Sequence, residues 1–253
     1  MKIIECNNLV KEYKLSKKQI KQNKSDQKVK RAVDRASFAV ERGSIFGLLG
    51  PNGAGKTTIQ RVISTLIKPT SGEVFVDGLE VSDNSLAIRN KICFLTGEME
   101  LDKELTPEYL TLFYGRLYGL SDDQIKVRRD NLFNELDMND FRATKVGNLS
   151  TGMKQKVSIA ISLINDPEII IYDEPTNGLD IIASNVVVQY IRELNKQGKT
   201  IILSTHIFSI IEELCDDLAI LIDGKIIFEG KLDEVLAEYK NVKSLFFDLY
   251  GER

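Results

Sequence analysis

The 253-residue sequence predicts an α/β fold with a mixed core sheet, an antiparallel β-subdomain at the N-terminus and an inserted α-helical subdomain. Three observations carry this expectation. Two nearly unbroken apolar runs, Ile169-Ile170-Ile171-Tyr172 and Ile201-Ile202-Leu203, flank a helical pattern over residues 181–197. Such runs suit parallel strands covered on both faces. The opening third instead alternates, with apolar residues at Val33, Ala36, Phe38 and Val40, as a half-buried strand does. Between residues 97 and 165 helix-start signals take over.

Bulk properties narrow the class. A chain of 253 residues can bury one large core, so residues 1–253 are expected to form a single domain with a subdomain at 97–165. The net charge of −3 points to no nucleic-acid partner. No apolar run nears the roughly 20 residues that span a bilayer, and residues 1–6 lack a signal-peptide core. A cytoplasmic protein is therefore expected, free to dock on a membrane protein. Cys6, Cys93 and Cys215 are odd in number and widely spaced, which fits reduced core thiols.

Along the chain, residues 3–13 read as a first strand. Residues 14–31 hold Lys14, Lys17, Lys18, Lys21, Lys24, Lys28, Lys30 and Arg31 against Asp26 alone, with no apolar period. They read as a basic surface insertion, a solvated loop or loose hairpin, or a contact for anionic headgroups or an acidic partner. Residues 32–40 form the alternating strand, and 45–49 an apolar one. A helical pattern over residues 57–66 ends at a Lys68-Pro69-Thr70-Ser71-Gly72 turn, and residues 73–78 close on the turn pair Asp77-Gly78. Residues 84–90 are weakly helical and 92–95 a strand. Thr106-Pro107-Glu108 starts a helix, with Thr as N-cap and Pro in the first turn, and Tyr109, Leu110, Leu112, Phe113, Leu117 and Tyr118 give it a broad apolar face. Ser121-Asp122-Asp123 starts another, and Ser150-Thr151-Gly152 leads into a third that Asn165-Asp166-Pro167 stops. A hairpin around Asp223-Gly224 and a closing helix over residues 232–239 complete the reading.

The chemistry sits at loop and strand ends. Gly50-Pro51-Asn52-Gly53-Ala54-Gly55-Lys56-Thr57-Thr58 follows a strand and opens a helix. Glycines let successive N–H groups turn around a phosphate, Lys56 adds charge for the outer phosphates, and Thr57 offers a hydroxyl to Mg²⁺. The alternative is a glycine-rich turn with an incidental lysine. Asp173, at the end of a buried strand, can reach Mg²⁺. Glu174 leaves the chain in another direction, placed to act as general base or to orient a water; strand-end capping is the plain alternative for both. His206, the only histidine, follows Ser204-Thr205 at a strand tip, where it contacts a γ-phosphate or packs as an edge residue. Tyr13 either stacks on a purine or packs at a strand end. Strand tips are where doubly wound sheets bind ligands.

The order of Gly50 to Thr58, Leu149-Ser150-Thr151-Gly152-Met153, Ile169 to Pro175, Gly178-Leu179-Asp180 and Ser204-Thr205-His206 resembles the ATP-binding cassette of ABC transporters, a P-loop NTPase fold. The stretch Phe94-Leu95-Thr96-Gly97-Glu98 is similar to ATPase subunits of the sodium-export-like subfamily. The resemblance implies ATP and Mg²⁺ as cofactors. It implies adenine stacking by Tyr13, phosphate binding by residues 50–58, catalytic roles for Lys56, Glu174 and His206, and metal ligation by Thr57 and Asp173. Asp180 matches the loop that crosses a dimer interface. Ser150 and Gly152 match the motif that contacts the nucleotide of an opposing subunit, so two copies, head to tail, would sandwich two ATP molecules. The further partner implied is a polytopic membrane permease, met by the helical subdomain at residues 98–118, with export the expected direction and a peripheral position at the cytoplasmic membrane face. Two departures stand out: Thr151 and Met153 replace the usual Gly and Gln, and Gly97, beside Glu98, stands where a Mg²⁺-linking glutamine is usual.

Two other classes are weighed against this one. A non-transport ATPase acting on ribosomes or nucleic acid would carry two cassettes or a long coiled coil, and the insert here is short and lacks heptads. A nucleotide sensor without turnover would not need Glu174.

Overall fold

The computed structural model of the chain describes residues 1–16, 28–96 and 100–251. Its strands are β1 (Lys2–Lys14), β2 (Val29–Glu41), β3 (Ile45–Leu49), β4 (Ser71–Val76), β5 (Leu79–Glu80), β6 (Ile92–Thr96), β7 (Ile169–Asp173), β8 (Thr200–Thr205), β9 (Asp217–Ile222) and β10 (Lys225–Lys231). They form a four-stranded sheet in the order β2-β1-β4-β5, wholly antiparallel, and a six-stranded sheet in the order β10-β9-β3-β8-β7-β6. The second sheet is parallel from β9 to β6, with β10 antiparallel at its edge. The mixed core sheet and the antiparallel N-terminal sheet are as the sequence predicts.

Side-chain alternation explains why the core strands read as continuous apolar runs. Ile169 and Ile171 of β7 pack with Phe46, Leu48 and Ile202 beneath the N-terminal sheet and helix α1 (Lys56–Ile63). Ile170 and Tyr172 pack into a second cluster with Ile201, Leu203 and the remaining helices. Each face of the sheet is covered, so neither set of alternate side chains has to be polar.

Between β6 and β7 the described residues contain no strand. Helices α3 (Pro107–Leu117), α4 (Asp122–Glu135) and α5 (Thr151–Leu163) fill this stretch, after the short α2 (Ser85–Arg89). Their starts follow local chemistry. Thr106 Oγ1 accepts from the Tyr109 amide at 3.2 Å with Pro107 in the first turn, and Ser121 and Gln124 form a reciprocal capping box. Phe133 and Ile125 are fully buried beneath them. Beyond β7 follow α6 (Ile181–Lys196), α7 (Phe208–Leu214), α8 (Leu232–Glu238) and α9 (Val242–Gly251).

Three expectations change. Helix α1 ends at Ile63 rather than near residue 66, because Ser64 Oγ bonds back to the Gln60 carbonyl at 2.7 Å and Thr65 turns left-handed at φ 60°. The ends of the basic insertion are strand: Lys14 pairs with Val29, Tyr13 with Lys30 and Glu12 with Arg31, while residues 17–27 lie outside the described residues. The helix over residues 232–239 does not close the chain, since α9 follows and packs on α7 through Phe246 and Phe208, 5.4 Å between ring centroids. The broad apolar face expected of α3 is present, and it is mostly uncovered: Leu110 is buried, but Phe113 is 45% and Leu117 66% exposed.

A charged knot joins the two sheets. Asp77, in the turn after β4, accepts from Lys91 ahead of β6 and from Arg42 ahead of β3, and Arg42 also pairs with Glu168 ahead of β7. The Lys91 ammonium bonded to it holds the Asp77 carboxyl below the usual carboxylate range. A group with a lowered folded-state pKa stabilises above its unfolded pKa and loses that contribution as pH falls through the folded one. Asp77→Asn should therefore cost about 1 kcal/mol at neutral pH. In urea titrations the gap to the parent chain should narrow as pH falls from 7 to about 3; a gap that stays constant across that range would rule out the charge as its source.

Candidate functional site

The loop from Gly50 to Gly55 joins β3 to α1 and has no room for a side chain at either end. A Cβ at Gly50 would stand 2.2 Å from the Leu221 carbonyl oxygen, and Gly55 has φ 112° with a Cβ position 2.5 Å from the Ala32 oxygen. Backbone therefore lines the loop, and α1 begins at Lys56 with its free N–H groups toward it. The Lys56 ammonium folds back to the Gly50 carbonyl at 2.6 Å and is nearly buried.

Three strand ends bring the other groups in. Strand β8 lies between β3 and β7. Thr57 Oγ1 donates to Asp173 Oδ2 at 2.6 Å, and Ser204 Oγ donates to Asp173 Oδ1. Glu174 Oε1 lies 3.2 Å from Lys56 Nζ, an ion pair without hydrogen-bond geometry, and Glu174 Oε2 is 3.0 Å from His206 Nδ1. The Glu174 backbone is left-handed at φ 52°, and its amide donates to the Ser204 carbonyl at 3.0 Å. That turn is why adjacent carboxylates point apart, Asp173 toward Thr57 and Glu174 toward Lys56 and His206.

The loop borders a cleft of about 510 Å³ lined by Tyr13, Lys30, Ala32, Pro51 through Thr58, Arg61, Thr96, Asp173, Glu174 and Asn177. Tyr13 is 37% exposed at its rim with Lys11 Nζ 5.3 Å from its ring centroid. His206 and Gly50 line a separate hollow of about 310 Å³ with Phe208 and Phe246. Of the residues singled out from sequence, Tyr13, Pro51, Asn52, Gly53, Ala54, Gly55, Lys56, Thr57, Thr58, Asp173 and Glu174 meet in one cleft, with His206 joined through Glu174. Ser150, Gly152 and Asp180 do not line it. Ser150 caps α5 by accepting from the Met153 amide, and Asp180 caps α6 by accepting from the Ala183 amide at 2.8 Å. A Cβ on Gly152 would stand 3.2 Å from the Ala183 Cβ, so these two helix starts pack together. Gly97 and Glu98 lie outside the described residues.

Sequence reasoning missed Lys30, Arg61, Asn177 and Thr96 in the cleft. Thr96 was reachable in principle, since it ends the strand beside Asp173 and pairs with it in register. Lys30 was read as part of a loop, although its pairing opposite Tyr13 brings it to the rim. The cysteines contribute no nucleophile here. All are buried, and burial pushes the thiols of Cys6 and Cys93 up to about 12 and that of Cys215 up as well.

The donor set fits a hard cation. One hydroxyl and one carboxylate converge at Thr57 and Asp173 beside the loop, and the described residues hold no cluster of three or more carboxylate, thiol or imidazole groups that would make a self-sufficient metal cage. Mg²⁺ suits such a site, because it keeps waters and phosphate oxygens in its shell.

Comparisons with known proteins bear on the chain as a whole. A family model described as ABC transporter matches residues 33–177. The chain is 40% identical to the ABC transporter ATP-binding protein NatA of Bacillus subtilis over 209 residues, 82% of this chain and 85% of that one. It is 39% identical to the Nod factor export ATP-binding protein I of Rhizobium sp. (strain N33), covering 83% of this chain and 69% of that one. Among solved structures, an ATP binding subunit of an ABC transporter superposes with TM-score 0.82 at 28% identity, covering 98% of this chain and 99% of that one. A dimeric ATP-binding cassette in a post-hydrolysis state, bound to ADP and Pi, superposes with TM-score 0.78 at 28% identity, covering 90% of this chain and 98% of that one.

Gly55 offers a direct test of the loop. Gly55→Ala forces a Cβ onto the Ala32 carbonyl at a positive φ, which should destabilise the fold by about 2 kcal/mol and shift the loop. Thermal melts and titration with a fluorescent ATP analogue should show a lower Tm and at least about tenfold weaker binding, some 1.4 kcal/mol. Unchanged binding would mean that the loop backbone does not hold phosphate.

Proposed function

The chain belongs to the ABC transporter family, as an ATP-binding subunit that hydrolyses ATP in a transporter, and from that premise we propose that it powers export through a separate membrane permease, with two copies closing head to tail on two Mg²⁺·ATP. The observation that carries the hydrolytic part is the divergence of Asp173 and Glu174. Asp173 meets Thr57, the pair that would hold Mg²⁺, while Glu174 meets Lys56 and His206. Mg²⁺ at that pair neutralises charge on the outer phosphates when bound. The loop amides and Lys56 bind and orient the phosphates. Glu174 orients the attacking water and accepts its proton, and His206 holds the Glu174 carboxylate and reaches toward the γ-phosphate. Tyr13 stacks on the adenine at the rim.

The rest of the reading concerns surfaces. Ser150, Gly152 and Asp180, which lie outside the cleft, are assigned to the nucleotide of a second copy. Ile181 and Ile182, next to Asp180, are 89% and 81% exposed, which suits a face that a second copy covers. The exposed Tyr109, Phe113 and Leu117 stripe on α3 suits the permease, within a helical subdomain read over residues 97–165 of a single domain. Among the described residues no helix is long and apolar enough to cross a membrane. The permease places the chain at the cytoplasmic face, and export follows the direction in the names of relatives such as the Nod factor proteins.

Glu174→Gln keeps shape and removes the base. It should lower ATP turnover by about 100-fold or more, roughly 2.7 kcal/mol of barrier, while ATP binding stays near that of the parent chain. Retained turnover would remove Glu174 from the mechanism. Purifying the tagged chain from detergent-solubilised membranes should bring a polytopic protein with it. Recovery with ribosomes or DNA instead would favour the non-transport reading.

A further inference from the structure

Helix α1 grips the tip of β7 at three points. Lys56 pairs with Glu174, Thr57 bonds to Asp173, and Gln60 Nε2 donates to the Tyr172 carbonyl at 3.0 Å. Lys56, Thr57 and Gln60 share one face of the helix, three and four residues apart. The first two grips use groups that the proposed function assigns to phosphate and Mg²⁺. A side chain that must also serve the nucleotide cannot by itself hold a fixed register between helix and strand. The third grip carries no such second duty.

Gln60 is unusual where it sits. It is fully buried, among Ile59, Val62 and Ile63, and its Oε1 has no hydrogen-bond partner. An amide in that place carries an uncompensated desolvation cost that an apolar side chain of the same length would avoid. Packing alone therefore favours Met or Leu. What the amide adds is one directed bond to the peptide that precedes Asp173.

We propose that Gln60 is a positioning residue for ATP hydrolysis, fixing the phosphate loop helix against the Tyr172–Asp173 peptide so that Asp173 and Glu174 stay in register with the phosphates while Lys56 and Thr57 engage the nucleotide. The proposal rests on the hydrolytic reading above. Reacting groups misplaced by a fraction of an ångström lose rate with little loss of binding. Gln60 does not line the cleft, so its effect falls on kcat and not on affinity.

Gln60→Met and Gln60→Leu test this in the full-length chain, with its membrane partner where turnover requires it. Expected are a kcat lowered about tenfold, a KM for ATP within about twofold of the parent, and a Tm equal to or above the parent's. Hydrogen exchange in nucleotide-bound protein should quicken at the amides of Tyr172, Asp173 and Glu174, a readout independent of turnover. An unchanged kcat in either folded variant overturns the proposal, as does a kcat loss that merely tracks a fall in Tm or a rise in KM. Should one variant fail to fold, the other decides; failure of both would show a structural brace and overturn the positioning role. Absence of hydrolysis in the parent chain would instead remove the hydrolytic reading beneath it.

Discussion

Strand β8 lies between β3 and β7, and its last residues hold both neighbours. The Thr205 carbonyl accepts from the Gly50 amide at 3.3 Å, and the Ser204 carbonyl accepts from the Glu174 amide at 3.0 Å. Ser204 Oγ reaches Asp173. One strand end thereby anchors the first residue of the phosphate loop and both carboxylates. Parallel strands make this possible, because all three C-termini emerge on the same side of the sheet. The long crossovers that parallel pairing demands are where the helices between β6 and β7 and between β7 and β8 reside.

Precision at those strand ends comes from the core beneath them. The sheet is apolar on both faces, with Ile171 and Ile202 packed to one side and Tyr172 and Leu203 to the other. A strand held from two sides cannot slip by one residue without turning its entire side-chain set over. Helix α7 sits so close to β3 that a Cβ at Gly47 would stand 2.5 Å from Ile211 Cδ1. The same helix begins two residues after His206 and leans on α9 through the Phe208 and Phe246 rings. The position of the histidine therefore depends on aromatic packing in the hollow beside Gly50.

How much of this was legible in the sequence follows from how local each signal is. The glycine loop, the continuous strands with acids at their ends and the Thr106 and Ser121 helix starts all rest on residues near one another in the chain, and each emerges as read. What was not legible depends on pairing across the fold. Lys30 belongs to the cleft because it lies opposite Tyr13 in an antiparallel pair. The broad apolar face of α3 is legible from its periodicity, but periodicity alone does not say whether another element covers it. Helix α9 is the exception, since its apolar pattern at residues 242–250 is local and Asn241 marks its start by accepting from the Ser244 amide at 2.9 Å. Nothing local in the sequence marks Gln60 as buried, and only the approach of β7 turns that position inward.

The charge balance at Lys56 ties these parts together. An ammonium this buried needs compensation, and two sources supply it: the Gly50 and Pro51 carbonyls of the loop and the Glu174 carboxylate. A phosphate in the loop competes for the same ammonium, and as a polyanion beside loop amides it competes well. Glu174 then loses a cation and keeps His206, whose ring nitrogen already lies 3.0 Å away. In the proposed hydrolysis, that exchange would turn the carboxylate from a counter-ion of the loop into the base, with a single oriented neighbour. That change of partner needs a backbone that does not follow the side chains. The left-handed turn at Glu174, pinned by its amide to Ser204, supplies the fixed point on the strand side, and Lys56 can trade partners without drawing Asp173 away from Thr57.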